Sequence, residues 1–172
     1  MKKLPGRGTL ARRMKSYALR LKRVILHDRL SPEKVALGWA IGMFYGCVIP
    51  FGFQLVLSIP TAIAARASKI GASVGTLITN PVSIWFIYPV QCFAANRIIG
   101  GNLTYDAISN AMERLIRAGN YETLFSLGLE LIVSFFVGGA LLAAVCVPAT
   151  YIIVKKIILV HRRRKELADA KR

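Results

Sequence analysis

Four polar side chains, Gln54, Thr79, Asn80 and Ser83, stand in stretches whose other residues are mostly hydrocarbon or glycine. Amides and hydroxyls of this kind present several donors and acceptors without a fixed charge. Together they could receive a phosphate, a carboxylate or a dehydrated ion. Each sits beside a helix breaker: Gln54 follows Pro50-Phe51-Gly52, and Thr79, Asn80 and Ser83 flank Pro81. A break leaves backbone amides open, and the positive end of a helix that starts there favours an anion. The same donors could instead serve only to satisfy the broken backbone, and the sequence leaves both roles open. Arg66 and Arg97 each follow a break proline by sixteen positions, or about 24 Å of helix. They are therefore candidate headgroup contacts at a membrane surface, where a long basic side chain snorkels, and not groups serving the breaks. Glu130 opens the last apolar run, either as a proton-coupling carboxylate or as an interfacial residue at a helix N-terminus.

No reaction signature accompanies these residues. The chain has no metal-ligand spacing of His or Cys, no Gly-x-x-x-x-Gly-Lys loop, no nucleophile elbow and no acidic pair in the broken segments. The reading is a protein that is not an enzyme and carries no cofactor or metal. Cys47, Cys92 and Cys146 are odd in number and lie in apolar runs, as small buried hydrophobes do.

The elements that must position the polar groups are two uncharged runs, residues 35–65 and 70–96. Runs this apolar, in a chain with 55% hydrophobic residues and a mean hydropathy of +0.50, point to a membrane domain and not a soluble one. Formal charge is +16, and its placement argues against a nucleic-acid surface, which stands as a third reading behind the membrane ones. Residues 1–34 carry 11 Lys and Arg against 2 acids, residues 155–172 carry 8 against 2, and everything between carries 5 against 4. Basic residues gathered at both ends of apolar spans place both termini in the cytoplasm. The N-terminal stretch has no compact apolar core or cleavage site and does not read as a signal peptide.

The expected architecture is all-α: an integral membrane helical bundle with broken or re-entrant helices. Residues 1–30 form a basic amphipathic interfacial arm, residues 31–155 the helical membrane domain, and residues 156–172 a basic cytoplasmic tail. In the arm, Leu10, Met14, Tyr17, Leu21 and Val24 recur at helical spacing among Lys and Arg, and a solvated basic arm that only enforces topology accounts for the charge equally well. Ser31-Pro32-Glu33 starts the next helix with a capping hydroxyl, a proline suited to the first position and an acid at the positive dipole end. Gly38, Gly42 and Gly46 then form a ridge for close helix approach, and Gly71 and Gly75 repeat the pattern. On either side of Pro50 and Gly52 the helical pieces are about 22 and 20 Å long, too short for about 30 Å of hydrocarbon. A re-entrant hairpin with Lys34 at one foot and Arg66 and Lys69 at the other satisfies length and charge, with one kinked crossing as the competitor. Residues 82–100 read as a crossing outward capped by Asn80, residues 104–119 as a surface helix, and residues 131–154 as the crossing back. The two broken runs also resemble a degenerate repeat, although shared alanine-rich composition explains the likeness as well.

Ser31-Pro32-Glu33 leading into residues 36–44, then Ile49-Pro50-Phe51-Gly52-Phe53-Gln54, Arg66 and Gly75-Thr76-Leu77-Ile78-Thr79-Asn80-Pro81, resemble the bacterial membrane family called domain of unknown function 2062. The likeness covers roughly residues 30–155. It implies a multi-pass protein of the bacterial inner membrane, sometimes joined to glycosyltransferase modules, and brings no established activity. Ala67-Ser68-Lys69 stands where members commonly carry an Asn soon after the Arg, which argues against a polar role for that turn here. Two functions are expected. One is binding or transport of an anionic lipid headgroup, small solute or ion at the broken helices, with anionic membrane lipids as partners. The other is a structural or accessory role in cell-envelope polysaccharide synthesis beside a membrane or glycosyltransferase partner.

Overall fold

A computed structural model describes residues 30–118 and 128–169. The arm expected over residues 1–30 lies, except for Leu30, outside the described residues, as does Gly119, the expected stop of the surface helix. Among the described residues all regular structure is helical: α1 (Pro32–Val48), α2 (Gln54–Ala64), α3 (Lys69–Gly75), a 3-10 turn (Thr76–Ile78), α4 (Ile84–Ile98), α5 (Tyr105–Ala118) and α6 (Leu129–Asp169).

The start of α1 follows the expected chemistry, with Pro32 in the first turn and Ser31 Oγ accepting from the Lys34 amide at 3.4 Å. The helix ends before Pro50, which cannot extend it. Gly52 then takes φ +106°, a turn conformation that a side chain disfavours. This reverses the chain into α2, and α2 returns alongside α1 until the Ser68 amide donates to the Lys34 carbonyl at 3.0 Å. Both feet of the α1–α2 hairpin therefore lie at one end of the molecule. The turn after α2 does have a polar role, contrary to the expectation from its sequence, because Ser68 Oγ caps α3 by accepting from the Gly71 amide at 2.9 Å.

The glycine ridges meet. A Cβ on Gly42 would overlap the Ala72 carbonyl and sit 2.8 Å from Cα of Gly75, so α1 and α3 cross backbone to backbone. Where water does not drive helices together, such contact area and its dispersion energy do.

The expected outward crossing over residues 82–100 is corrected. Residues 81–83 form a turn and α4 has only 15 residues, about 22 Å at helical rise. The chain reaches the far end of the molecule by α3, the 3-10 turn, the Asn80-Pro81 break and α4 in succession. At that end, α5 packs on α4, and α6 then runs back along α4 and α1. Ile84, Tyr88, Cys92, Ile108, Leu131 and Phe135 form one core, while Val35, Ala36 and Trp39 pack on Val154 and Ile158 in another. Cys47 and Cys92 are fully buried free thiols and Cys146 is half-buried. Among the described residues, α6 is the one helix long and apolar enough to cross a membrane, and 33% of its most apolar stretch is buried.

Candidate functional site

The two breaks converge. Gln54, at the first turn of α2, is 3% exposed, and Thr79, after the 3-10 turn, is fully buried. Gln54 Nε2 donates to Thr79 Oγ1 at 2.8 Å, to the Ile49 carbonyl at 2.8 Å and to the Gly46 carbonyl at 3.3 Å. Thr79 Oγ1 in turn donates to the Gly46 carbonyl at 2.8 Å. Carbonyls left open where α1 stops thus find donors from both breaks, Gln54 from the first and Thr79 from the second. The side chain of Tyr88 closes the tip: its hydroxyl accepts from the Phe51 amide at 2.8 Å, and its ring meets Phe135 edge to face.

Asn80 and Ser83 cap the helix that follows. Asn80 Oδ1 accepts from the Val82 and Ser83 amides at 2.9 and 3.0 Å, while Ser83 Oγ donates to the Ile78 carbonyl at 2.6 Å and accepts from the Asn80 amide at 2.9 Å. Asn80 acts as the cap read from the sequence, although the regular helix begins later, at Ile84. All four candidate residues are therefore brought together, and each spends hydrogen bonds on the backbone of a break. Pro50, Gly52 and Pro81 form the turns themselves.

A second polar region lies at the feet. Lys34, Arg66 and Lys69 surround a cavity of about 400 Å³ whose other walls are Leu30, Ile63, Ala67 and Ile70. No carboxylate among the described residues lies in ion-pair range of the three cations. Arg66 has φ +50°, the left-handed region that a non-glycine residue enters at a cost. Nearby, Lys155 Nζ pairs with Glu33 at 3.3 Å, and Arg162 Nη2 donates to the Leu30 carbonyl at 2.6 Å. The start of α1 and the basic stretch of α6 thus share one end. The Glu33 carboxyl is held below its usual range, chiefly by a bond to its own backbone amide and then by Lys155.

Arg97 lies at the opposite end, its guanidinium 5.2 Å from the centroid of the Phe93 ring, so the two candidate headgroup arginines are not brought together. Beside it is a cluster that the sequence reading missed. Asn96, fully buried, donates from Nδ2 to Glu130 Oε1 at 2.9 Å and to Ser134 Oγ at 3.1 Å, and accepts at Oδ1 from the Leu103 amide at 3.1 Å. Glu130 Oε1 also accepts from the Asn102 amide at 3.1 Å. Glu130 therefore ties the α4–α5 turn to α6. Its i,i+4 spacing to Ser134 on one helix face was the available signal. Among the described residues no three His, Cys, Asp or Glu side chains gather as a metal site.

The fold is an all-helical bundle packed through glycine ridges, with polar helix breaks inside it and cations at one end. The chain belongs to the family described as an uncharacterized protein conserved in bacteria, DUF2062, whose model matches residues 12–166. No curated protein and no solved structure matches it.

Proposed function

We propose that this chain is a multi-pass bacterial inner-membrane protein that binds the headgroup of an anionic lipid in the notch between Lys34, Arg66 and Lys69. The notch carries the reading: three cations with no carboxylate partner among the described residues stand around a pocket with apolar walls, and a phosphate with attached acyl chains has the matching chemistry. Each cation held near an anionic surface contributes about 1 kcal/mol. Support for the membrane comes from the uncovered surface, which includes Val56 at 65%, Phe86 at 70%, Val82 at 73% and Val145 at 71% exposure. A soluble monomer rarely presents apolar area on that scale. In this reading α1 and α2 form a re-entrant hairpin from the cytoplasmic face, α3 to α4 make a broken passage outward and α6 returns. Both termini are then cytoplasmic, in keeping with the positive charge at the ends of the chain. The polar groups at the breaks hold the hairpin tip in place, and binding occurs at its feet.

The test is reconstitution in nanodiscs of phosphatidylglycerol mixed with phosphatidylcholine, followed by native mass spectrometry of retained lipid. The wild-type chain should keep phosphatidylglycerol over phosphatidylcholine, and the triple variant Lys34→Ala, Arg66→Ala, Lys69→Ala should lose that preference at unchanged helicity. Equal retention by both proteins would rule out the notch. Release of the chain by alkaline carbonate without detergent would rule out the membrane assignment.

A further inference from the structure

The notch at the hairpin feet holds more positive charge than one lipid phosphate neutralises. Lys34, Arg66 and Lys69 line a single cavity of about 400 Å³, and no carboxylate among the described residues pairs with any of them. Glu33 stands next to Lys34 in the chain, but its carboxylate is held by Lys155 of α6 at 3.3 Å. Like charges around one cavity repel over separations comparable with the Debye length, about 8 Å at physiological ionic strength. A phosphodiester carries one negative charge and leaves two of these cations without a counter-charge. A second phosphate held beside the first is therefore attracted as well.

The apolar surface beside the notch is also double. Ile63 walls it from α2 and Ile70 from α3, and both are half exposed, at 51% and 56%. Each begins an apolar track. Val56 lies seven residues before Ile63 on α2, Leu77 lies seven after Ile70 in the 3-10 turn, and both are exposed. The chain descends α2 to the feet, where Ser68 bonds Lys34, and climbs α3 back to the Gln54–Thr79 contact at the tip. Both tracks therefore leave the notch in the same direction, for about 10 Å. With the feet at the cytoplasmic surface, that direction is into the hydrocarbon.

We propose that the notch selects a lipid with two phosphodiesters on a short linker, each bearing its own pair of acyl chains, over a lipid with one. The proposal rests on the headgroup reading above and names the class of lipid that the same site takes. The two phosphates share the three cations, and the two diacyl arms follow α2 and α3. Basic pockets between membrane helices on the cytoplasmic side take headgroups of this kind. A phosphomonoester lipid comes close in charge but has a single diacyl arm, so it leaves one track uncovered.

The experiment is native mass spectrometry of the full chain released from phosphatidylcholine nanodiscs that contain tetraoleoyl cardiolipin, phosphatidic acid or phosphatidylglycerol at equal negative charge. Wild type should retain cardiolipin at least about fivefold over either of the other two, a ratio that corresponds to about 1 kcal/mol. Lys34→Gln with Lys69→Gln changes two exposed positions and spares the Arg66 turn. It leaves one cation in the notch and should abolish the cardiolipin preference at unchanged helicity, while part of the preference for phosphatidylglycerol over phosphatidylcholine persists. Arg163→Gln with Arg164→Gln removes the same charge from α6 outside the notch and should keep the cardiolipin preference. Equal retention of cardiolipin and phosphatidylglycerol by wild type overturns the proposal and leaves the headgroup reading standing, whereas retention of no anionic lipid over phosphatidylcholine overturns both. Phosphatidic acid held as well as cardiolipin assigns selection to charge alone and overturns the two-armed lipid. A cardiolipin preference that survives the Lys34 and Lys69 changes, or that is lost with Arg163 and Arg164, overturns the notch as its source.

Discussion

Gln54 Nε2 and Thr79 Oγ1, 25 residues apart in the chain, lie 2.8 Å from one another and join the two helix breaks into one buried polar knot. Both side chains also bond the Gly46 carbonyl, so the knot seals the open end of α1. An unsatisfied carbonyl beside these buried side chains would carry the full cost of its lost hydration.

Removing one partner should therefore cost more than the pair's own hydrogen bond. Gln54→Ala strands the Ile49 carbonyl and removes one of the bonds at Thr79 Oγ1, and a loss of about 1–3 kcal/mol is expected. Thr79→Val keeps the shape and loses the hydroxyl. A double-mutant cycle of Gln54→Ala with Thr79→Val, read by unfolding in detergent, should give a coupling of about 0.5–3 kcal/mol. Additive effects would mean that the two breaks are held independently.

The α1–α3 crossing makes a second prediction. A methyl group on Gly42 would meet the Ala72 carbonyl and Cα of Gly75, which are backbone atoms that cannot rotate away. Gly42→Ala should therefore separate the helices at a cost of about 1–3 kcal/mol. Leu37 is exposed on the same helix, and Leu37→Ala should change the melting temperature little. Thermal unfolding monitored by circular dichroism distinguishes the two.

These two features were legible in the sequence because both are locally conspicuous. Glycines spaced by four residues announce a close crossing, and Gln54 or Thr79 in an apolar run announces a need for partners. The length of α4 was not legible, since Val82 and Ile99 are as apolar as the helix between them and only the turn geometry after Pro81 removes residues 81–83 from it. Nor was the Asn96 cluster, whose bonds to Glu130 and Ser134 bridge 34 and 38 residues and depend on how α6 lies across α4. The cations were legible as the two feet of a hairpin, but not as the lining of a shared cavity. Their arrangement around one cavity requires the hairpin to close first.

Asn96 and Glu130 give a third prediction. Glu130→Gln retains an oxygen that can accept from Asn96 Nδ2 and the Asn102 amide, so it should be nearly neutral for stability. Glu130→Ala leaves the buried Asn96 amide one partner short and should cost about 1–3 kcal/mol. If Glu130 served to couple protons, Glu130→Gln would disable function at full stability, so measuring both quantities on one variant separates a structural carboxylate from a working one.

The Glu33–Lys155 pair sets a pH dependence. Because the folded carboxyl is held below its usual range, the pair's contribution is fully present above the unfolded glutamate value and is lost as pH falls through the depressed one. The effect is small, since both side chains are partly exposed. Melting temperature against pH should fall in acid below the ordinary glutamate range, and Glu33→Gln should remove that part of the slope. A slope unchanged in the variant would assign the acid sensitivity to other carboxylates.

Arg66 supplies the sharpest separation of stability from function. Its backbone at φ +50° is a conformation that glycine enters freely and that costs other residues about 1 kcal/mol. A turn selected for folding alone would be better served by glycine. Arg66→Gly should therefore stabilise the chain by about 1 kcal/mol. The same change removes one of three cations from the notch, so selective retention of phosphatidylglycerol should weaken by several-fold, about the fivefold that 1 kcal/mol represents. Arg66→Lys keeps the charge and the strained backbone and should leave both quantities close to wild type. If Arg66→Gly instead destabilises the fold and retains lipid, the arginine is a structural residue of the turn and the headgroup lies elsewhere.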